Sequence, residues 1–239
     1  MTTPEPGIIG GIGLTYLQVY EQRPAPDGTM SGCAHLHGLT DEAYYVIAGT
    51  GAIELHDIEQ GFRSVPLAKG SFVQFPPGTL HRSVSTGGLE VLAIMGNAGL
   101  AERGDARIYF GAAVDADPAE FARLVALPQT KGMEGALERR DASVRAYRNL
   151  LALWSADPPA YRAELARFIA VHQREVATRR DEYEAIIRRG PEHWLRLALG
   201  RLDPGRPGND RAQGQRQDAG PVRLGMCGTL QQFEGLLPT

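Results

Sequence analysis

Three of the chain's six histidines and one glutamate fall at spacings that a strand-built fold could bring to a single point. His35 and His37 are two residues apart. Glu42 follows after four intervening residues, and His81 comes later, behind Pro76-Pro77-Gly78. Residues i and i+2 of a β-strand face the same side, so a strand through 35–37 presents both imidazoles together. Glu42 would follow a short turn at the start of the next strand, and the Pro-Pro-Gly turn would aim His81 in from a distant one. Three neutral imidazoles and a carboxylate suit Fe, Mn, Ni, Cu or Zn. Around an octahedral ion they leave two positions for water, substrate or dioxygen, whereas a structural zinc site is closed and commonly rich in thiolate.

Neighbouring positions supply candidate pocket residues. Tyr44 lies two residues after Glu42 and shares its face. There its phenol would act as acid or base or hold a substrate oxygen, or else simply fill a barrel. Glu42 itself could also move a proton. Cys33, two residues before His35, either lines the pocket mouth or is a small buried hydrophobe. Ser83 and Ser85 share the face of His81 and could hydrogen-bond a substrate or pack in the core. Phe75 and Met95 are candidate walls. Tyr45 should face outward. His56, His172 and His193 lack ligand spacing, and His172 sits on an apolar helical face that suits a core residue. Gly7 to Gly13 lacks the Lys-Ser/Thr ending of a phosphate loop.

The elements that must position these groups change character along the chain. Residues 1–114 read as short strands rich in Val, Ile, Tyr and Phe and separated by Gly and Pro. The expected strands are 14–20, 30–37, 43–48, 51–56, 71–75, 81–85, 89–95 and 107–110, a pattern that fits a sandwich or barrel. From 115 to 200 the period becomes helical. Asp117-Pro118-Ala119-Glu120 reads as a helix start. Leu137, Val144, Tyr147, Leu151 and Trp154 recur on one face, and Asp157-Pro158-Pro159 restarts a helix whose face runs through Tyr161, Leu165, Phe168, His172, Val176, Tyr183 and Ile186. Pro191 opens a last short helix. Residues 201–220 are polar and predict a flexible linker. Residues 221–239 regain Leu224, Met226, Leu230, Phe233, Leu236 and Leu237, a tail expected to dock over the barrel or helices, as a lid near the pocket mouth or as a brace.

The two histidine-bearing segments resemble the two conserved motifs of the cupin superfamily. The first is His35-Leu-His37, four residues, Glu42, six residues, Gly49. The second is Gly70, five residues, Pro76, one residue, Gly78, two residues, His81. The resemblance covers roughly 28–95, under half of the chain. Gly28 stands one residue earlier than the glycine that opens the first motif, and Ser85 stands where the second often ends in Asn, a group that often shapes the pocket. Neither position is a ligand. The resemblance implies a jelly-roll-like β-barrel with an α-helical region after it. It also implies one divalent transition metal on His35, His37, Glu42 and His81, with Fe(II) favoured over Mn, Ni, Cu or Zn, and a homodimer paired through outer sheets. Cupins with three His and one Glu resemble quercetin-type, diketone-cleaving and acireductone dioxygenases, so the first expectation is a non-heme dioxygenase acting on a small organic molecule. A redox-neutral isomerase, lyase or cyclase is the second, with Tyr44 or Glu42 moving a proton; cupin lyases that cleave dimethylsulfoniopropionate place a Tyr similarly. A non-catalytic small-molecule-binding cupin is the third.

Composition narrows the classes further. Net charge is -3. The basic residues between Arg139 and Arg201 alternate with acidic ones, as on solvated helix faces, so no nucleic-acid partner is expected. No stretch approaches 18 apolar residues, which argues against a membrane span. Two distant cysteines and an N-terminus without a basic leader predict a reducing cytoplasm.

Overall fold

The computed structural model describes residues 8–203 and 218–233. Its first part is an antiparallel barrel built around two long strands, β4 (Glu42–Asp57) and β7 (Leu80–Met95). Each replaces two shorter strands expected from the sequence, because the glycines that look like separators make bends inside one strand. The ladder between β4 and β7 slips in register between Val46 and Gly51. At Gly49, φ is +74°, and a Cβ there would lie 2.0 Å from the Gly88 carbonyl oxygen, so only glycine lets the strands stay this close.

Around these two lie β1 (Gly13–Val19), β2 (Met30–Ser31), β3 (His35–His37), β5 (Gly61–Ala68), β6 (Phe72–Phe75) and β8 (Ala106–Ile108). β1 pairs with β7, β5 and β6 pair with β4, and β2 and β3 pair with β7. β5 escapes sequence reading because Arg63, Ser64 and Pro66 break its apolar alternation. It lies at one end of the strand order, where Pro66 disturbs no central ladder. The barrel's interior is apolar at one end, with Leu17, Val46, Ile53, Leu55 and Val91 in a single buried cluster.

The second part is helical: α1 (Ala112–Asp115), α2 (Pro118–Val125), α3 (Leu127–Ala156), α4 (Pro158–Thr178), α5 (Arg180–Arg189) and α6 (Pro191–Gly200). The start signals work as the chemistry requires. Asp117 accepts from the N–H groups of Ala119 and Glu120, both at 3.1 Å, and Asp157 accepts from Ala160 N at 3.1 Å. The long helix expected after Pro158 is two, parted at Arg179. Tyr147, Leu150, Tyr161, Leu165 and Phe168 pack on Ala34, Leu36, Leu80 and Tyr109, so the helices cover the outer face of the strands that carry the histidines. No helix among the described residues is long and apolar enough to cross a membrane.

The C-terminal segment enters as sheet rather than as a cover. β9 (Arg223–Leu224) and β10 (Gly228–Phe233) extend the barrel, with β10 antiparallel to β1 from Leu14↔Phe233 to Val19↔Gly228. Residues 204–217, most of the expected linker, lie outside the described residues, as do Leu236 and Leu237.

Candidate metal centre

His35, His37, Glu42 and His81 converge inside the barrel, and one ligand atom from each lies within 4.8 Å of all the others. The ladders explain the convergence. His35 on β3 stands directly opposite His81 on β7, with ring centroids 4.1 Å apart. His37 follows on the same face of β3. Glu42 opens β4 and reaches back, its Oε2 lying 3.1 Å from His81 Nε2 and 3.3 Å from His37 Nε2. All four side chains are buried.

The hydrogen bonds around the rings decide which nitrogens are available. Nδ1 of His35 meets the Cys33 carbonyl at 3.2 Å, and Nδ1 of His81 meets the Thr79 carbonyl at 3.1 Å. A carbonyl can only accept, so in both rings Nδ1 carries a proton, and in the neutral ring the lone pair is left on Nε2. His81 Nε2 and Glu42 Oε2 have no hydrogen-bond partner among the described residues although both are buried. Two acceptors this close repel unless a proton or cation lies between them. A divalent ion answers that need directly, and this donor set fits one.

The buried charges of the site act on one another. Burial holds His35 well below its usual pKa, and the neighbouring His81 and His37 push the same way. Burial opposes charge on His37 as well, but the Glu42 and Asp105 carboxylates raise it to about 9. Burial would raise Glu42, yet His81 and His37 hold it well below the usual carboxylate range. Tyr44 is pushed well above its usual value, first by burial and then by Cys227 and Glu42, so its phenol stays protonated.

The other sequence candidates divide. Tyr44 faces the interior, fully buried, with its hydroxyl 3.8 Å from Cys227 Sγ. The Phe75 ring lies 4.5 Å from that of His81. The Ser83 hydroxyl is close enough to affect Tyr44 and Cys227 but has no hydrogen-bond partner of good geometry among the described residues. Met95 stands beside Glu42 in the β4–β7 ladder. Cys33 is placed elsewhere. The chain leaves strand geometry between Ser31 and His35, so the alternation expected from spacing lapses, and the thiol packs with Ile108, Phe110, Leu124 and Leu127. Ser85 is turned away too: its hydroxyl donates to Glu21 and accepts from Leu89 N at 3.0 Å. Tyr45 is outward and exposed, and His172 is buried on α4. A cavity of about 390 Å3 opens beside the centre, lined by Asp41, Glu42, Gln74, Phe75, Pro76 and Gly96 among others.

Two residues at the site carry no sequence signal. Cys227, from the C-terminal segment, places Sγ 3.7 Å from His35 Nε2. Asp105 places Oδ2 3.5 Å from His37 Nδ1. Both are far in sequence from the ligands they touch.

A family model described as the cupin domain matches residues 21–95, which span all four converging residues. The chain contains a cupin domain. Asp105, Cys227 and every helix lie outside the part that the cupin model matches. No curated protein matches the chain. Among solved structures, a proposed sugar phosphate isomerase from Acidithiobacillus ferrooxidans is 28% identical over 36% of this chain and 49% of its own length, with a TM-score of 0.28. This chain therefore spans about half the length of that neighbour. A conserved protein with a double-stranded β-helix domain from Klebsiella pneumoniae is 14% identical over 45% of this chain and 88% of its own, with a TM-score of 0.31. KdgF from a Halomonas species is 21% identical over 39% and 72%, with a TM-score of 0.28. Likenesses at these scores carry nothing about the reaction.

Proposed function

We propose that this cupin is a metal-dependent enzyme acting on a small organic molecule, and that its reaction is that of a non-heme oxygenase. The observation that carries the metal is the convergence of three imidazoles and one carboxylate in a buried site, where Glu42 Oε2 and His81 Nε2 lie close together without hydrogen-bond partners among the described residues. When bound, a divalent transition metal supplies a Lewis acid and, if redox-active, a relay for electrons. His35, His37, Glu42 and His81 would hold it, three through nitrogen and one through a carboxylate oxygen. Glu42 and Phe75 border both the cluster and the adjoining cavity, so a substrate would approach from that side. The apolar interior keeps bulk water from the reacting groups, and Phe75 walls the site against His81.

A redox-neutral isomerase, lyase or cyclase is the second reading. It is favoured by Tyr44, a buried phenol that faces the barrel interior and keeps its proton, the group that would serve as acid in that chemistry. The choice of oxygenase rests on the donor set and the cupin resemblance.

Metal analysis after aerobic and anaerobic purification, with dioxygen uptake measured across candidate substrates, separates the two. Iron with substrate-dependent uptake supports the oxygenase. Turnover with zinc or nickel and no uptake transfers the assignment to the redox-neutral class. A protein that retains and rebinds no divalent metal would end both readings.

A further inference from the structure

The three imidazoles of the centre are not held alike. His35 and His81 each turn Nδ1 to a backbone carbonyl two residues earlier in the chain. His37 turns Nδ1 to a carboxylate instead, Asp105 Oδ2 at 3.5 Å. Asp105 is fully buried. Its Oδ1 is occupied, accepting from Leu39 N at 2.7 Å and Gly38 N at 3.1 Å. Its Oδ2 has no hydrogen bond within ordinary limits, and neither has His37 Nδ1. The two unpartnered atoms face each other, and an approach of roughly 0.5 Å would make an ordinary hydrogen bond between them. The Thr40 hydroxyl also lies against this carboxylate and has no partner of good geometry.

Asp105 is fixed from behind by the helical layer. Its carbonyl oxygen accepts from His172 Nε2 on α4 at 2.6 Å and from Gly38 N at 2.9 Å. The helix is seated directly on the loop that follows His37. A Cβ on Gly38 would lie 2.7 Å from Val176 Cγ2 and 3.1 Å from His172 Nε2. A chain of contacts therefore runs from α4 through Asp105 to one ligand of the centre.

We propose that Asp105 is a positioning residue of the metal centre: Oδ2 accepts the Nδ1 proton of His37, which fixes the tautomer that turns the Nε2 lone pair inward, and His172 of α4 holds Asp105 in place. The inference rests on the metal reading given above. A carboxylate oxygen can only accept, so this contact requires the proton on Nδ1 and leaves Nε2 for the ion. Carboxylates behind ligating histidines orient the ring and raise its basicity, and losing one commonly weakens metal binding about 10- to 100-fold. Asp105 makes the helical region part of the centre, although no helix among the described residues supplies a ligand.

Asp105→Asn is the informative change. The amide oxygen can keep the bonds to Gly38 and Leu39, but the amide nitrogen then faces His37 as a donor. That favours the tautomer with the proton on Nε2, where the ion must bind. Zinc affinity of the stripped full-length protein, measured by competition with a chromogenic chelator, should fall about 10- to 100-fold. The melting temperature of the metal-free protein should stay close to that of the parent. In a His37→Gln background the same change should add no further loss, which a merely structural role for Asp105 would not produce. Zinc affinity within twofold of the parent would overturn the proposal. A second measurement needs no variant and decides the matter if Asp105→Asn does not fold. Nitrogen-15 shifts of the zinc-loaded parent should place the His37 proton on Nδ1 and the metal on Nε2, and the reverse assignment would overturn it. If the parent itself binds no divalent ion, the metal reading fails and takes this inference with it; if the parent binds and Asp105→Asn binds equally well, this inference fails alone.

Discussion

The four converging residues differ in their proton affinities, and their protons would set how a divalent ion competes for the site. His37 is the group that must lose a proton, because Glu42 and Asp105 overcome burial and raise its pKa to about 9. His35, held low by burial and its imidazole neighbours, has no proton to give up near neutrality. Apparent zinc affinity should therefore rise with pH by about one logarithmic unit per pH unit up to roughly 9, then level off. Chelator competition between pH 6 and pH 9.5 checks this, and an affinity flat across the range would contradict it. His37→Ala should lose most of the bound metal while the circular dichroism of the barrel persists; full occupancy in that variant would remove His37 from the ligand set. Tyr44→Phe should retain metal and, if the phenol transfers a proton, lower kcat by roughly 100-fold or more. An unchanged rate would leave Tyr44 as packing beside Phe75. The convergence of these four residues is legible in the sequence because i, i+2 spacing on a strand and a Pro-Pro-Gly turn are local instructions. Asp105 and Cys227 are not, because nothing near either of them in sequence encodes that the segment carrying it returns beside His37 or His35.

Elements meet across the outer face of the barrel, and there the alternation of β4 sets the interaction. Ile53 and Leu55 point into the core, so Glu54 and His56 must point out toward α3 and α4. His56 Nε2 lies 2.7 Å from the Tyr147 hydroxyl and Nδ1 lies 2.8 Å from that of Tyr161. Tyr147 donates to Glu54 at 3.0 Å, so its oxygen accepts from His56 Nε2–H, and Tyr161 then donates to Nδ1. Arg82 completes the network by donating to Glu54 at 2.8 Å and Asp27 at 2.6 Å. Every atom of the His56 ring that can carry a proton is already committed. Burial, reinforced by Arg82, lowers its pKa from 6.5 to about 3. The unfolded chain takes up a proton below its own pKa of about 6.5 that the folded chain refuses. Stability is therefore intact above about pH 6.5 and declines by about 1.4 kcal/mol per pH unit from this group between there and about pH 3. Urea denaturation of the parent and of His56→Gln, at pH 7 and pH 5, should show a smaller decline in the variant; equal declines would contradict the assignment. His56 drew no functional reading from sequence because its partners sit on helices about a hundred residues away. By contrast, the helix starts at Asp117 and Asp157 were readable, since an N-cap and a first-turn Pro are local. The bends inside β4 and β7 were not, because a Gly that ends a strand and a Gly that bends one look alike until the register is known.

At the scale of the whole molecule, the C-terminal segment is a structural part of the barrel. Its backbone is tied to both layers. Cys33 N donates to Met226 O at 2.9 Å, and Tyr20 Oη donates to Gly225 O at 2.8 Å, an oxygen that also receives Arg139 of α3 at 2.6 Å. The fit is close: a Cβ on Gly32 would lie 2.4 Å from Cys227 Cα, and one on Gly228 would lie 1.8 Å from the Gln18 carbonyl oxygen. Cys227 is buried in the barrel cluster, while Met226 and Leu230 pack against it partly buried. An apolar tail after a polar stretch announces docking in the sequence, but not that it docks as a strand, because pairing with β1 depends on an edge created by the rest of the fold. Removing residues 218–239 would uncover that edge of β1 and the His35 side of the interior. Fully burying a side chain of this kind contributes about 1.5–3 kcal/mol, so losing one buried and several half-buried groups costs upwards of about 3 kcal/mol, from a total stability of about 5–15 kcal/mol. The truncated chain should melt at least several degrees lower and aggregate through the exposed strand. Cys227→Ala separates the strand from the thiol: it keeps the β10 pairing, so it should melt close to the parent while altering the wall beside His35. If the truncation remained soluble with an unchanged midpoint, β10 would not be part of the barrel's stability; if Cys227→Ala alone reproduced the loss, the thiol rather than the strand pairing would be the element that holds this side closed.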